Sequence, residues 1–456
     1  MESSRRSSPP DAAGVAAAVA AAVAAALDAL PAPGPVAIAL SGGRDSIALL
    51  HAVATLAPPR QRPVAAVHVH HGLSPHADAW AEFCVATCAA YGVPCAVRRV
   101  DVGRGPRTSL EAEARSARYA ALAEAGVAAG ACAVLLAHHR DDQAETLLLQ
   151  LLRGAGPHGL AAMPAQRLAH GIAWLRPLLG ISRAAIDAHV RAHGLRFVDD
   201  HSNGDTRRAR NAVRHVVAPA LAAVAPAYAA TLARAATLQA DAARLADDLA
   251  AHDARGAVDG ATLSQAALAA LPEHRARNLL RWFLRECGLP PPSHARLRAM
   301  LAALTTQRAD ARAGVAHGGA AIGVHRGRIV VHAPPPAPFD SPWRGEPLLL
   351  LPHGRLAFVG GAAGGLDPRR LDGAPVTVRA RRGGERLTLG PGRPRRALKS
   401  LLQDAGLATW ERAALPLVFC GDALAAVPGI GVDVAFQAAP GSDGLALRWT
   451  PTAGFG

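Results

Sequence analysis

The stretch "VAIALSGGRDSIALLHAV", Val36 to Val53, decides the fold of the first half of the chain. An apolar run ends in a polar turn before helical spacing resumes, and the turn is Ser41, Gly42, Gly43, Arg44, Asp45 and Ser46. Two glycines let backbone N–H groups approach an anion, and the N-terminus of the following helix adds partial positive charge. The turn lacks the lysine of the GxxxxGK[ST] pattern. Because Asp45 would repel a phosphate, we predict a pyrophosphate bridged by Mg²⁺; an ordinary capped turn is the alternative.

Short apolar runs alternate with helical patterns between residues 31 and 217. The runs are typical of strands at 36–40, 64–69, 95–100 and 133–139, and the patterns are typical of helices at 46–57, 77–91, 109–125 and 142–153. Continuous apolar strands separated by helices predict an α/β fold, with a parallel sheet covered by helices on both faces. Ligands bind such sheets beyond the carboxyl ends of the strands, where the motifs below all lie.

We expect three domains. The first, 31–217, contains the sheet, and the second, 218–333, is an alanine-rich helical domain without a catalytic constellation. The third, 348–440, is a small α+β domain. The proline-rich segment 332–347 separates the last two domains and predicts a stiff, extended linker.

The composition favours a polyanionic partner. Among 456 residues, 49 are Lys or Arg and 35 are Asp or Glu, which gives a formal net charge of +14. Such an excess attracts nucleic acid through its phosphates, although a basic solvated surface is the alternative. The six cysteines form no CxxC pair, which argues against a zinc site or a disulfide framework and favours free thiols in a reducing cytosol.

The alanine-rich residues 12–30 follow two arginines and so imitate a signal peptide. Alanine is too weakly apolar for that role and Asp28 interrupts the segment, so we expect a surface helix instead. Since no other segment is apolar enough to span a membrane, the sequence predicts a cytoplasmic protein without a membrane partner.

A histidine cluster lies in "VHVHHGLSPHADAW", Val67 to Trp80. His68, His70 and His71 have no cysteine or carboxylate at a familiar ligand spacing. We therefore interpret them as the polar wall of a nucleotide pocket and not as a metal site.

A helix with paired charges follows in "SLEAEARSARYAAL", Ser109 to Leu122. Glu111, Arg115 and Arg118 are four and three residues apart, so they fall on related faces of the helix. A solvated ion-pair face would explain this spacing on its own.

The most specific stretch is "LLAHHRDDQAETLLLQLLRGAG", Leu135 to Gly156. His138 and His139 end a strand, and Asp142 and Glu145 share a face of the next helix. Two close carboxylates suit an ammonium group or Mg²⁺. Acidic residues that complement a helix N-terminus are the alternative, but that does not account for the histidines.

Two further stretches are basic. "FVDDHSNGDTRRARNAVRHVVAPAL", Phe197 to Leu221, is a polar loop that enters a basic helix. The C-terminal run "RARRGGERLTLGPGRPRRALKS" interleaves glycines with arginines and the only lysine of the chain, Lys399. Since arginine binds phosphates bidentately, we predict RNA contacts by Arg381, Arg382, Arg386, Arg395, Arg396 and Lys399, with a solvated charged face as the alternative.

Together these motifs resemble known families. SGGxDS after a strand resembles the PP-loop of the N-type ATP pyrophosphatases, an adenine nucleotide alpha hydrolase-like, Rossmann-like fold. HxHHGL with ADAW, ARxxRY, the double-histidine and double-aspartate run with its Glu-Thr, and the C-terminal RxGxR…K with WERAALPLVFCGD all resemble the tRNA(Ile)-lysidine synthases. The resemblance covers most of 36–221 and about 378–433.

The resemblance implies a ligase that joins free L-lysine to C2 of the wobble cytidine in the CAU anticodon of tRNA(Ile). ATP and Mg²⁺ would lie on residues 41–46, and adenylation of the base would release pyrophosphate before lysine expels AMP. The product, lysidine, changes codon reading from AUG to AUA and identity from Met to Ile.

By the same resemblance, Asp142 and Glu145 would hold the lysine, His138 would lie beside the adenylation chemistry, and Arg118 would stabilise charge. The metal ligand is open, with Asp45 as the candidate, and either carboxylate or His138 could accept the proton of the lysine amine. A homodimer is one alternative for the oligomeric state.

Two other functions compete with this one. A tRNA thiolase would share the adenylated intermediate but is expected to carry paired cysteines, which the chain lacks. A regulatory protein that binds nucleotide and RNA without catalysis would not need the acidic pair.

Overall fold

The glycine turn follows an interior strand of a six-stranded sheet. The computed structural model describes residues 12–30, 34–72, 74–101, 110–199, 204–306, 314–334 and 336–452. The strands of this sheet are β1 Val36–Ala39, β2 Val64–His70, β3 Cys95–Arg99, β4 Ala133–Leu135, β5 Gln166–Ala169 and β6 Ile172–Leu175. They lie in the order β3-β2-β1-β4-β6-β5, parallel throughout except for the antiparallel pair β5 and β6.

Helices cover both faces of the sheet. They are α1 Ala12–Asp28, α2 Arg44–Leu56, α3 Ala77–Ala90, α4 Leu110–Ala128, α5 Arg140–Leu152, α6 Pro157–Leu160, α7 Arg183–Ala192, α8 Ala209–Ala212 and α9 Ala218–Val224. Val36 and Ile38 of β1 pack into one apolar cluster, whereas Ala37 packs into a second cluster on the opposite face. All three side chains are fully buried, which explains the continuous apolar strand and confirms the predicted α/β fold.

The alanine-rich N-terminal segment forms the helix α1 but does not lie wholly on the surface. Val19, Val23 and Leu27 are four residues apart, share one face, and are completely buried in the first apolar cluster. The described part of α1 therefore belongs to the core of the sheet domain.

In this sheet, one strand is shorter than the sequence predicts and two strands were not predicted. β4 ends at Leu135, and the next four residues, predicted to continue it, lie outside the strand and lead into α5 at Arg140. The hairpin of β5 and β6 was not predicted, because Gln166–Ala169 is exposed and lacks the apolar character of a buried strand. The early end of β4 leaves His138 and His139 beyond the carboxyl edge of the sheet.

The chain divides into two units, Met1–Arg244 and Leu245–Gly456, and the division falls within α10 Tyr228–Ala254. The second unit begins with helices and a five-stranded sheet in the order β7-β8-β11-β10-β9. The helices are α11 Gln265–Ala270, α12 Glu273–Glu286 and α13 His294–Thr306. The strands are β7 Val258–Asp259, β8 Thr262–Ser264, β9 Val315–His317, β10 Ala320–His325 and β11 Arg328–His332.

The sheet of this region was not predicted from the sequence, which favours helices throughout 218–333. Its strands are two to six residues long, too short to give a clear alternating pattern. The amphipathic helix α12 was predicted, and it buries Leu279, Leu280, Phe283 and Leu284 in the core shared with that sheet.

The C-terminal part of the second unit is built from strands and two short helices. The strands are β12 Asp340–Pro342, β13 Leu348–Leu351, β14 Gly354–Ala363, β15 Val376–Arg379, β16 Arg386–Leu387, β17 Arg396–Ala397, β18 Leu417–Cys420, β19 Ala423–Val427, β20 Gly431–Val432 and β21 Asp443–Pro451. The helices are α14 Leu398–Asp404 and α15 Thr409–Ala414.

The structure corrects the predicted linker at 332–347. Its second half begins with β12, which pairs with β15 as the first strand of the sheet β12-β15-β18-β19-β20. A second sheet, β13-β14-β21, runs to Pro451 and so extends past the predicted end at 440. Proline at 342 is compatible with β12 because this strand is at the sheet edge.

Among the described residues, no single helix has both the length and the apolar character needed to cross a membrane. Only the pair Ala209–Val224 and Tyr228–Ala254, bent by 99°, meets that requirement, by length and composition alone.

Candidate active site

The turn between β1 and α2 is held in shape by its own hydroxyl groups. Ser46 Oγ donates a hydrogen bond to the carbonyl oxygen of Gly43 at 2.8 Å, and lies 3.1 Å from Ser41 Oγ. The Gly43 N–H donates to Ser41 Oγ at 3.3 Å. Gly42 has a φ of +83°, which favours glycine, and a Cβ there would lie 3.1 Å from Cys84 Sγ. The turn therefore has the glycine-dependent shape expected of an anion-binding loop.

The guanidinium of Arg44, which the turn would place beside a bound phosphate, is paired with carboxylates of the protein. Its Nη1 lies 2.8 Å from Asp187 Oδ1 on α7, and its Nε lies 3.3 Å from Asp45 Oδ1. The guanidinium thus joins the start of α2 to α7. Arg44 still lines the cavity described below, but its charge is already paired.

Asp45 and Asp142 meet on either side of His139. The Nε2 of this fully buried imidazole is 3.6 Å from Asp45 Oδ2 and 3.4 Å from Asp142 Oδ2, and it makes no hydrogen bond. His139 also caps α5, because its backbone N–H donates to Asp142 Oδ2 at 3.1 Å and its Nδ1 accepts from the Asp142 N–H at 3.4 Å. The imidazole therefore bridges the glycine turn and the acidic helix.

A half-buried arginine occupies the predicted acidic pair. Arg214 donates through Nε to Glu145 Oε1 at 2.7 Å and through Nη2 to Glu145 Oε2 at 2.9 Å, and Nη2 also reaches Asp142 Oδ1 at 3.0 Å. The two carboxylates are nearly inaccessible, with 12% and 6% of their side chains exposed. Burial raises the pKa of Asp142, but His139, its backbone N–H, His138 and Arg214 outweigh burial and hold that pKa below its usual value. The pair is therefore a preformed cation site.

Arg214 reaches this pair from an irregular helix. Residues Val213–Val217 form a π-helical turn between α8 and α9, and Arg214 is its second residue. Such turns insert an extra residue into a helix and change the direction of nearby side chains. On α8, Arg210 Nη2 donates to Thr146 Oγ1 at 2.9 Å, so two arginines of this segment contact α5.

His138 and Arg118 both face the same cavity. Burial lowers the pKa of His138 to about 3, even though nearby Asp142 raises it, so this imidazole is neutral near pH 7. Burial also lowers the pKa of the Arg118 guanidinium, which nevertheless stays charged at neutral pH. The Cζ atom of Arg118 lies 5.7 Å from the centroid of the Tyr119 ring. Arg115 is exposed, and its Nη2 donates to the Tyr119 hydroxyl at 3.4 Å. The side chain of Glu111 lies outside the described residues.

The cavity has a volume of about 1310 Å³ and opens at the carboxyl edge of the sheet. The predicted residues that line it are Ser41, Gly43, Arg44, Asp45, Ser46, Arg118, His138 and Asp142, with His68, His70 and His71 on another wall. His70 Nε2 lies 3.2 Å from Asp78 Oδ1, and His68 Nδ1 donates to the Leu40 carbonyl oxygen at 2.9 Å. His68 and His70 are therefore engaged with protein atoms, whereas His71 Nδ1 is buried and makes no hydrogen bond to a described residue.

No cysteine is among the described residues that line the cavity. Cys84 is buried beneath the glycine turn, and burial raises the pKa of its thiol to about 12. A protonated thiol is a poor nucleophile, so this geometry does not support a thiolase.

The predicted RNA-binding residues lie in the second unit, around a short hairpin. Arg386 and Arg396 belong to the antiparallel pair β16 and β17, and Arg386 Nη2 donates to the Arg395 carbonyl oxygen at 3.0 Å. Lys399 follows in the first turn of α14, and it is exposed like Arg395. Arg381 is paired with Glu385 at 3.4 Å, and the Arg382 N–H donates to Glu385 Oε1 at 2.7 Å. The structure therefore brings the six predicted residues to one part of the unit, and all of them except Arg381 are exposed.

Sequence reasoning missed Arg214 and underrated His139. Arg214 stands in the basic stretch 197–221, of which residues 200–203 lie outside the described part of the chain. A signal was present, because two close carboxylates need a cation when they are buried, and this stretch supplies arginines. No comparable signal distinguishes His139 from His138 in the sequence.

Comparison with known families assigns most of the chain. Residues 18–221 match the family described as PP-loop domain, residues 263–330 match TilS substrate binding domain, and residues 376–449 match TilS substrate C-terminal domain.

Several bacterial proteins are similar over nearly the whole length. The tRNA(Ile)-lysidine synthase of Nitrosomonas europaea is 42% identical over 428 residues, covering 91% of this chain and 92% of the relative. Its counterpart in Ralstonia nicotianae is 44% identical over 435 residues, with 92% and 93% covered. A third, from Burkholderia pseudomallei, is 40% identical over 483 residues, with 97% and 96% covered.

Proposed function

The chain belongs to the tRNA(Ile)-lysidine synthase family, and from this premise we propose how its residues divide the work of the reaction. It is an ATP-dependent ligase that forms a carbon–nitrogen bond between L-lysine and C2 of the wobble cytidine of tRNA(Ile), and releases AMP and pyrophosphate. The observation that carries the assignment of roles is the contact chain Asp45–His139–Asp142, which links the glycine turn to the acidic pair.

In the first step the C2 oxygen of the cytidine attacks the α-phosphorus of ATP. Residues 41–46 hold the departing pyrophosphate through backbone N–H groups and the hydroxyls of Ser41 and Ser46. Asp45 fits Mg²⁺, because its carboxylate is partly exposed, lines the cavity and supplies the oxygen that this cation prefers. When bound, Mg²⁺ would neutralise charge on the phosphates.

Arg118 stabilises the negative charge that develops at the phosphorus. Its guanidinium lines the cavity and is largely removed from water, so its charge is weakly screened there. Arg44 contributes through structure more than through charge, because Asp187 already pairs with it.

In the second step the amine of lysine attacks C2 and expels AMP. Asp142 and Glu145 bind the ε-ammonium, and the guanidinium of Arg214 occupies that place when lysine is absent. The carboxylates are the better proton acceptors because they contact the ammonium directly. His138 also lines the cavity, and because the pKa values of His138 and Asp142 both lie below their usual range, basicity does not select between them.

The remaining parts of the chain bind tRNA(Ile). We propose 31–217, extended by α1, as the catalytic domain, and 218–333 and 348–440, the latter extended by β12 and by the rest of β21, as tRNA-binding domains. The exposed Arg386, Arg395, Arg396 and Lys399 would contact phosphates. Because ATP, lysine and tRNA meet in the cytoplasm, the enzyme acts there.

The assay that tests the function uses radiolabelled lysine. Purified protein, ATP, Mg²⁺ and tRNA(Ile) with a CAU anticodon should give label in the tRNA, whereas tRNA(Ile) with a GAU anticodon should stay unlabelled. Incorporation that needs no ATP, or none with either tRNA, would refute the proposal and favour a non-catalytic RNA-binding protein.

Gly42→Ala tests the turn. The φ of +83° should cost an alanine about 1–2 kcal/mol of folding stability, and the distorted N–H groups should raise the KM for ATP. Gly92→Ala is the matched control, since its φ is +65° with nothing within 4 Å and it lies outside the cavity. Denaturant unfolding should show similar losses in both variants, while steady-state kinetics should show a raised KM in Gly42→Ala alone. A raised KM in Gly92→Ala would attribute the effect to lost stability.

Arg386→Ala combined with Arg395→Ala tests the RNA surface. Loss of two phosphate contacts should weaken tRNA binding and lower the slope of log Kd against log salt by about 2. Arg448→Ala, an exposed arginine on β21, should leave the slope unchanged. Fluorescence titrations between low and moderate salt would measure both, and equal slopes in all proteins would remove the hairpin from the interface.

A further inference from the structure

Three histidines meet on the side of the sheet domain where α2 packs against α7. His189 lies on α7, and His193 is the residue that follows the end of that helix, where its N–H donates to the His189 carbonyl oxygen at 3.1 Å. His51 lies on α2, and its Nδ1 is 3.0 Å from His189 Nε2. One ring nitrogen from each of the three lies within 4.8 Å of the other two.

We propose that His51, His189 and His193 form a binding site for a divalent transition-metal ion of the Zn²⁺ class, with water in the remaining coordination position. Tetrahedral Zn²⁺ holds imidazole nitrogens at about 2.0–2.1 Å, which places those nitrogens about 3.3 Å apart. Small side-chain rotations would bring the three rings from their present separation to that distance.

A hydrogen-bonded pair in the core is the simpler explanation, but it accounts for only two of the rings. His193 is exposed, yet its ring centroid lies 4.3 Å from that of His51 and 4.6 Å from that of His189. The exposed ring of His193 completes a triangle with the half-buried ring of His51 and the buried ring of His189. An ion could therefore reach the site from solvent on the His193 side. His189, with 2% exposure, forms the closed end of the site.

The site would select a different ion from the one that accompanies ATP. The cluster contains imidazoles alone, which suit Zn²⁺, Cu²⁺ and Ni²⁺, whereas Mg²⁺ prefers oxygen ligands such as Asp45. Neither His51, His189 nor His193 lines the cavity described above. Binding at the two places can therefore be distinguished by the metal used.

The position of the cluster gives it a structural consequence. α2 begins at the glycine turn, and the Val198 N–H, six residues after the end of α7, donates to the Gly42 carbonyl oxygen at 2.9 Å. A metal that joins His51 to His189 and His193 would cross-link the two elements that hold this turn in place.

The test uses the full chain freed of metal by a chelator, with excess Mg²⁺ present to saturate oxygen-ligand sites. Isothermal titration with Zn²⁺ should give one site per chain, and Zn²⁺ should raise the unfolding temperature. Co²⁺ in place of Zn²⁺ should give the visible absorption of a tetrahedral site. His193→Gln should weaken Zn²⁺ binding at least about 100-fold and abolish the temperature shift.

His252→Gln, an exposed histidine on α10 outside the cluster, is the control and should bind as the parent does. Absence of stoichiometric Zn²⁺ binding to the parent would overturn the proposal. So would binding that His193→Gln leaves unchanged, because the ion would then occupy other histidines. His193 is exposed, so its variant should fold, and an unaltered circular dichroism spectrum would verify this.

Discussion

Asp45→Asn should lower ATP–pyrophosphate exchange by about 10²–10³-fold, measured with tRNA(Ile) present and lysine absent. The exchange reports only the adenylation step. Asparagine preserves the size of the side chain but removes the charge that would hold Mg²⁺ against the phosphates. Because 31% of the Asp45 side chain is exposed, the fold should tolerate the change.

Asp187→Asn is the matched control for this variant. Asp187 pairs with Arg44 at 2.8 Å, and its side chain is about as exposed as that of Asp45, at 29%. It does not line the cavity, so exchange should stay within a few-fold of the parent. Equal losses in both variants would point to disruption of Arg44, and unchanged exchange in Asp45→Asn would remove Asp45 from the mechanism.

Glu145→Gln should separate the two steps of the reaction. We expect lysine incorporation to fall about 100-fold with a raised KM for lysine, because a charge-assisted hydrogen bond to the ammonium is lost. Pyrophosphate release in a single turnover should persist, since Glu145 acts only after adenylation. The measurement follows pyrophosphate and labelled tRNA in the same reaction.

Asp141→Asn controls for loss of a carboxylate from the start of α5. Asp141 accepts a hydrogen bond from the Arg183 N–H at 3.0 Å, and Arg214 makes its hydrogen bonds to Asp142 and Glu145. Lysine kinetics should change little in this variant. If Glu145→Gln lowered pyrophosphate release as much as lysine incorporation, Glu145 would serve both steps. An unfolding temperature close to that of the parent would exclude a loss caused by the broken buried ion pair.

The parallel sheet could be predicted because its strands obey a local rule. Val36, Ala37 and Ile38 are buried on both faces and are therefore uniformly apolar, and a helical pattern follows at once. The strands of Val258–Asp259 and Thr262–Ser264 could not be predicted, since pieces of two and three residues carry no period. Thr262–Ser264 pairs with β11, more than sixty residues away in sequence, and Val258–Asp259 pairs with Thr262–Ser264.

Some residues of the candidate site could likewise be predicted from local motifs, and others could not. Asp45, Asp142 and Glu145 are in motifs whose spacing has a local meaning, and the structure places them at one edge of the sheet. Arg214 and Glu145 are in contact although they are 69 residues apart in sequence. Their contact depends on a π-helical turn, which no sequence pattern predicts. His138 and His139 differ because His139 is the N-cap of α5 whereas His138 lines the cavity, and propensity does not determine at which residue that helix begins.

In the proposed mechanism, Arg214 competes with the substrate lysine for the acidic pair Asp142 and Glu145. A cation attached to the same chain is present at a high effective concentration, so a lysine that bound this pair as we propose would have to displace a partner that does not diffuse away. If Arg214 occupied the pair about 99% of the time, the apparent affinity for lysine would be about 100-fold weaker than the intrinsic one. The enzyme would then respond to lysine only when the amino acid is abundant, and the strength of an internal ion pair would set that threshold.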